Sequence, residues 1–498
     1  MDYQYITIPD QISISEIEHN NYCLTPSKYS AFHPNANVNF EPLNSLVSES
    51  SSKKKIVKKE RYFYSEIGDI EISTGEVDGK EFWGIDIPSE NPKIVKQNDI
   101  LLSTVRTYRG GIGFMCFNKK NSVCSPALTV IREVSPVITK EYLLSILRTP
   151  FFIEQIFGFQ NKGMYPRLDK SAMKYILIPI PKRKEIIEYI TILTKAIVNK
   201  EKLIKERHNS ILKKIENELT SNQKSSQFKF DFPTLNELIE TGRLDTHLYQ
   251  KKFKETDFLI KNYSHGYQTI YDYGFALSRG QNLQVSNIGD SIYSTDYHPN
   301  FYTLMLPKFL SKYGTVDTVK YLGNPKDLKT LKKGDLIFGA EGFEKGRSIV
   351  IIEEKERTIT NIHGITIQQE EHDVVKAVFI KCFLDYLRNK GIIDLFAVGG
   401  NGGSLAQKYW DYIPFPKFGR NKQLEIALLY HNDKIKYETT TCCNIETFIQ
   451  IDNDYNKTAG IYELDKTAKL LKEKLNQAID DIVNDKQVDI TFDLSCTK

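Results

Sequence analysis

Residues 182–219 read KRKEIIEYITILTKAIVNKEKLIKERHNSILKKIENEL and follow directly on Ile178-Pro179-Ile180-Pro181. Isoleucine recurs at 190, 197, 204 and 211, one heptad position taken four times, with Ile186, Leu193, Ile215 and Leu219 in support and Lys and Glu filling most of the remainder. A narrow apolar seam with a seven-residue period marks a long helix that needs a partner helix. About 38 residues at ~1.5 Å each predict a rod of roughly 57 Å. The stretch reads as a spacer between two bodies of sequence.

The two bodies resemble each other. Before the spacer, Asn21 to Tyr29 opens the first body, and a strand-rich region follows from Tyr62 to Arg132, in which Asn98-Asp99-Ile100-Leu101-Leu102-Ser103 is a turn and a buried strand, followed by the polar tip Thr104 to Gly111. A helix is predicted over 140–156, a loop over 160–167, and a last strand over 175–180. After the spacer, Gly242 to Tyr249 stands where Asn21 to Tyr29 stood, with Leu244 over Leu24 and Tyr249 over Tyr29. Lys333-Gly334-Asp335-Leu336-Ile337-Phe338-Gly339 repeats the turn and strand, Ala340 to Arg347 repeats the tip, and Gly399 to Ser404 leads to Ile413-Pro414-Phe415-Pro416. Asp335 lies 335 − 99 = 236 residues after Asp99, and Pro414 lies 414 − 179 = 235 after Pro179. Two landmarks agreeing this closely indicate duplication.

A further helical region is expected over 422–436, then a polar, β-prone interruption from Tyr437 to Gly460. Helical spacing resumes at Ile461, Leu464, Ala468, Leu471, Leu475, Ala478 and Ile482. Leu464, Leu471, Leu475 and Ile482 are the expected antiparallel partners of Ile190, Ile197, Ile204 and Ile211.

Totals narrow the class. The 498 residues favour two to four domains, and 40% hydrophobic content suffices for ordinary cores. A net charge of +4 does not by itself announce a nucleic-acid binder, so electrostatic arguments rest on local clusters such as Lys53-Lys54-Lys55 with Lys58 and Lys59. That Ser/Lys run reads either as a solvated loop or as a phosphate contact. The seven cysteines (23, 116, 124, 382, 442, 443, 496) show no Cys-x-x-Cys spacing, which suggests reduced thiols rather than a metal site or disulfide frame. Neither a signal-peptide pattern nor a run of about 18 apolar residues is found, so a soluble cytoplasmic protein is expected.

The order body, Pro-x-Pro, long helix, body, Pro-x-Pro, helix resembles the specificity (S) subunits of Type I restriction-modification systems, over nearly the whole chain. The resemblance implies an α+β fold class: two tandem α/β target recognition domains separated by long antiparallel coiled-coil helices. Its boundaries here would be an arm at 1–19, domains at 20–181 and 236–416, the spacer helix at 182–220, a linker at 221–235 and a helical region at 417–498. It further implies a non-catalytic subunit that reads a bipartite, asymmetric site in double-stranded DNA. That subunit would dock two adenine-N6 methyltransferase subunits, to which restriction (motor-nuclease) subunits can add. It would hold no cofactor of its own; S-adenosylmethionine, ATP and Mg²⁺ would belong to the partners.

Arg can fork onto guanine, Asn or Gln onto adenine, while Lys and Ser take phosphates. The candidates are Lys54, Lys55, Lys58, Arg106, Arg109, Lys162, Tyr165 and Arg167 in the first body, and Arg279, Gln281, Asn282, Lys345, Arg347, Asn401 and Ser404 in the second. Other classes fit the residues less well. A metal-dependent endonuclease could use Asp335 with Glu353 and Lys355, but Asp335 is matched by Asp99 as a turn residue and no Glu-x-Lys follows Asp99. A coiled-coil scaffold would share the helices without needing duplicated polar tips. A methyltransferase would need an Asn/Asp-Pro-Pro-aromatic tetrapeptide, which this sequence lacks, and there is no Gly-x4-Gly-Lys-Ser/Thr loop of a nucleotide-driven motor. His247 and His363 read as hydrogen-bonded structural residues.

Overall fold

A computed structural model describes residues 4–494 apart from 20–21, 23, 25, 118, 160–165, 343–344, 354–356, 399–402 and 440–443. The chain divides into two compact units, one of 1–202, 436–457 and 466–498, the other of 203–435 and 458–465.

Each unit holds the same four-stranded antiparallel sheet. In the first, strands run in the order Val47–Glu49, Leu128–Val134, Ile100–Ser103, Ile112–Phe114; in the second, Phe275–Arg279, Gly364–Gln369, Leu336–Gly339, Ser348–Val350. Register repeats as well as order. Leu128 pairs with Ser103 and Gly364 with Gly339, while Ile100 pairs with Phe114 and Leu336 with Val350. All four differences (364 − 128, 339 − 103, 336 − 100, 350 − 114) equal 236, the offset of the two aspartates. A second sheet in each unit contains one parallel pair, Arg61–Ser65 with Ser122–Cys124 and Tyr302–Leu304 with Thr358–Ile359.

Chemistry at the turn explains why an aspartate stands at 99 and 335. Asp99 Oδ2 accepts the Lys96 N–H at 2.8 Å, and Asp335 Oδ2 accepts the Lys332 N–H at 2.8 Å. Each closes a turn whose preceding residue, Asn98 or Gly334, has positive φ (65° and 88°), where Asn and Gly are tolerated best. The carboxylates are only 1% and 2% exposed and take a second donor from position +33: Arg132 in the first unit (2.8 and 3.2 Å) and Gln368 in the second (3.1 Å). Hydrogen bonding to Asp99 raises the Arg132 guanidinium above its usual pKa.

Both repeats also open alike. Helices Ile14–His19 and Leu235–Thr241 each start at a hydroxyl three residues before a glutamate, Ser13 with Glu16 and Thr234 with Glu237, so two otherwise orphaned N–H groups are satisfied reciprocally.

The spacer is a helix over Lys184–Ser221, and the boundary between the units falls within it. In the first unit, Ile190 and Ile197 share one core cluster with Leu471, Leu475 and Ile482 of the helix Ile461–Val483. Glu201 meets Lys472 at 2.7 Å, and Ile197 lines a cleft with Leu475. Rising numbers on one helix thus meet falling numbers on the other, the antiparallel arrangement the seam predicts. Ile204, Ile211 and Leu464 are buried in the second unit.

Two expectations need correction. The interruption read as β-prone contains a helix, Ile445–Thr458. Its inward face, Phe448, Asp452, Tyr455 and Asn456, has helical spacing but mixes apolar with polar side chains. The polar ones exist for Lys200, whose buried ammonium reaches Asp452 Oδ1 at 2.5 Å and Asn456 Oδ1 at 2.7 Å. Hydropathy alone cannot reveal a buried face built for a distant cation. The helix predicted over 140–156 is in fact two, Lys140–Leu147 and Pro150–Phe157, because Pro150 has no N–H to give and is accommodated only in a first turn.

Among the described residues, Cys116, Cys124 and Cys382 are in no disulfide, and burial pushes Cys124 and Cys382 up to about 12, which keeps them unreactive. Cys23, Cys442, Cys443 and Cys496 lie outside the described residues. Among the described residues no helix is long and apolar enough to cross a membrane.

Candidate nucleic-acid interface

The polar tips follow the strands Ile100–Ser103 and Leu336–Gly339, and in both units a later segment returns to lie beside them. Thr104 donates its N–H to Ala127 O at 2.9 Å and accepts from Leu168 N at 2.8 Å. Ala340, its equivalent at +236, donates to His363 O at 3.1 Å and accepts from Leu405 N at 2.9 Å. Residues 166–168 and 403–405 are therefore equivalent, and they bring Arg167 and Ser404 to corresponding corners of the two tips.

In the first unit the corner carries three arginines. Arg106 is held at φ 49°, a left-handed conformation that costs any residue with a Cβ, with its N–H on Pro166 O at 2.7 Å. Val105 bridges to Arg167, so Arg106, Arg109 and Arg167 come together around one turn, with Arg109 and Arg167 exposed. Lys162 and Tyr165 lie outside the described residues. The Ser/Lys run is not a free loop. Ser52 O accepts from Ile94 N and Lys54 N donates to Pro92 O, both at 2.9 Å, pinning the run to the neighbouring strand while Lys55 and Lys58 stay exposed. Lys54 lines a groove of about 770 Å³ with Arg61, Lys119 and Lys120 opposed by Glu60 and Glu81.

The second corner is charge-balanced. Arg279, at the end of its strand, reaches Glu341 Oε1 at 3.2 Å, Ile362 O at 3.3 Å and Ser404 Oγ at 3.1 Å. His363 Nδ1 lies 2.6 Å from Glu341 Oε2. Three other candidates are spent on the fold. Lys345 pairs with Asp394 at 3.0 Å, Arg347 donates to Leu310 O at 2.7 Å, and Gln281 Nε2 donates to Lys329 O at 3.1 Å. Asn282 is exposed, its Oδ1 accepting the Gln284 N–H at 3.2 Å, and Asn401 lies outside the described residues.

Sequence reasoning passed over Glu341 and set His363 aside as structural. A carboxylate is neither a cation nor a carboxamide, and nothing local in the sequence links positions 279, 341, 363 and 404. As to the endonuclease constellation, the Asp335 carboxylate is buried on Lys332 N–H and Gln368, Glu353 is exposed, and Lys355 lies outside the described residues. Among the described residues no three His, Cys, Asp or Glu side chains gather as a metal site would require.

No protein-family model matches the chain, and no curated protein matches it. Solved structures that resemble it include the HsdS subunit from Thermoanaerobacter tengcongensis (14% identity, TM-score 0.32, covering 92% of this chain and 99% of that one). The S subunit of a Type I restriction-modification system from M. genitalium also resembles it (14%, TM-score 0.39, 90% and 96%). So does a chain from work on complex assembly and conformational transition of the type I R-M system (14%, TM-score 0.31, 92% and 100%). Likeness at this level carries no argument about function; the duplicated architecture and the chemistry of its tips do.

Proposed function

We propose that the chain is a non-catalytic, sequence-specific DNA-recognition subunit that reads a split, asymmetric site and directs partner enzymes to it. One observation carries this reading. The same sheet, with the same register and the same returning segment, occurs twice, yet the equivalent corners differ: Val105, Ala127 and Arg167 in one, Glu341, His363 and Ser404 in the other. A duplicated enzyme or scaffold has reason to keep its corner chemistry, whereas two readers of different half-sites have reason to change it. Arg106, Arg109, Arg167, Lys55 and Lys58 would serve the first half-site. The partners would be methyltransferase subunits, two per chain, with restriction subunits able to add; S-adenosylmethionine, ATP and Mg²⁺ would be theirs, and the complex would work in the cytoplasm.

The test is selection of random DNA duplexes by the full-length chain, purified with its host methyltransferase subunits. A two-part motif with a fixed gap is expected, together with neither methyl transfer nor cleavage by the isolated chain. Enrichment of no motif, or turnover by the isolated chain, would overturn the reading.

A further inference from the structure

Glu341 is out of place in a surface built only to hold phosphates. A carboxylate repels a polyanion, and its counterpart in the first unit is Val105, so the fold does not require an acid at this position. Yet three separate segments converge to hold it. Arg279 and Ser404 Oγ donate to Oε1 at 3.2 and 3.4 Å, and His363 lies at hydrogen-bond distance from Oε2. A carboxylate offers about four acceptor sites; three are taken, which leaves one on Oε2. The Glu341 side chain remains 32% exposed, so that site is within reach of a ligand.

Arg279 is correspondingly a poor phosphate seat or guanine fork. Its charge is compensated by Glu341, and its N–H groups are already directed at Glu341, Ile362 O and Ser404. The corner thus presents a fixed acceptor held by donors, not a cation awaiting an anion.

We infer that Glu341 is a base-reading residue, accepting a hydrogen bond from an exocyclic amino group in the major groove, cytosine N4 or adenine N6, with Arg279 as a positioning residue that fixes its carboxylate. The inference rests on the DNA-recognition reading and specifies the chemistry of the half-site read by the second unit. Guanine and thymine offer only acceptors at their major-groove hydrogen-bonding positions and would meet the carboxylate acceptor to acceptor.

The experiment is duplex selection and salt titration with full-length wild type, Glu341→Ala, Glu341→Gln and Arg279→Gln. Wild type should prefer C or A at one position of one half-site by about 10- to 100-fold, the span of one good base contact. Glu341→Ala should flatten that position alone. Glu341→Gln should shift it toward A, since a carboxamide can fork onto adenine N6 and N7. Arg279→Gln should blur the same position without changing the salt slope. The remaining positions of that half-site, unchanged in every variant, report that the second unit is folded, and the other half-site reports the same of the first. Tighter binding of Glu341→Ala to all sequences would mark the corner as a phosphate seat and overturn the inference, as would an unaltered motif. A wild type that enriches no motif would instead overturn the recognition reading itself.

Discussion

Replacing Asp335 separates a turn residue from a catalytic one. Its Oδ2 accepts the Lys332 N–H at 2.8 Å and Gln368 Nε2 at 3.1 Å in a site 2% exposed. Asp335→Ala removes both bonds. Hydrogen bonds to a charged group contribute about 1.5–3 kcal/mol each, and Lys332 is exposed enough for water to recover part of the loss, so the expected cost is about 3 kcal/mol. Asp335→Asn keeps one carbonyl acceptor for the Lys332 N–H and should cost about 1 kcal/mol. The protein supplies its own reporter. Of its two tryptophans, Trp410 is buried in the second unit with its ring edge-on to Phe338, on the strand Asp335 leads into, while Trp83 is exposed in the first. In a Trp83→Phe background, Trp410 fluorescence during urea unfolding reads the second unit alone. A graded order, wild type above Asn above Ala, is expected. Equal stability of all three, combined with cleavage lost equally in both variants, would refute the turn role and favour an endonuclease.

Other consequences follow from buried charge and from the spacer. Burial against Tyr313, opposed by Asp385 and aided by Lys381, Arg388 and Lys312, pushes His208 down to about 4, so it is neutral in the folded protein. The unfolded chain binds the proton first as pH falls from about 6.5, so stability is lost between about pH 6.5 and pH 4, by about 3 kcal/mol in all. His208→Gln should remove that part of the slope, read as the difference between urea midpoints of the two proteins across the window. Lys200→Met strands the buried Asp452 carboxylate and should cost about 3–5 kcal/mol in the first unit, measured by thermal unfolding. Arg167→Ala should alter only the first half-site in duplex selection, whereas uniform weakening would make it a phosphate contact. A seven-residue insertion after Ile204 should lengthen the gap between half-sites and leave both half-site sequences intact; an unchanged gap would rule the helix out as a ruler.

What the sequence determined by itself was everything periodic or repeated. The seven-residue isoleucine spacing specifies the helix Lys184–Ser221 and its antiparallel partner, because a heptad seam is a local property that needs only another seam. The 236-residue offset between Asp99 and Asp335 specifies the duplicated sheet, because an Asp closing a turn at i−3 followed by a buried strand is again local. Tertiary structure decided which polar groups are available. Lys345 and Arg347 look as good as Arg167 on paper, but one meets Asp394 and the other Leu310 O, while Arg167 meets solvent. Glu341 acquires its chemistry only when residues 279, 363 and 404 reach it, and the helix Ile445–Thr458 acquires its buried polar face only from Lys200. A charge's role depends on the partner that folding delivers from far along the chain, and no periodicity records that encounter.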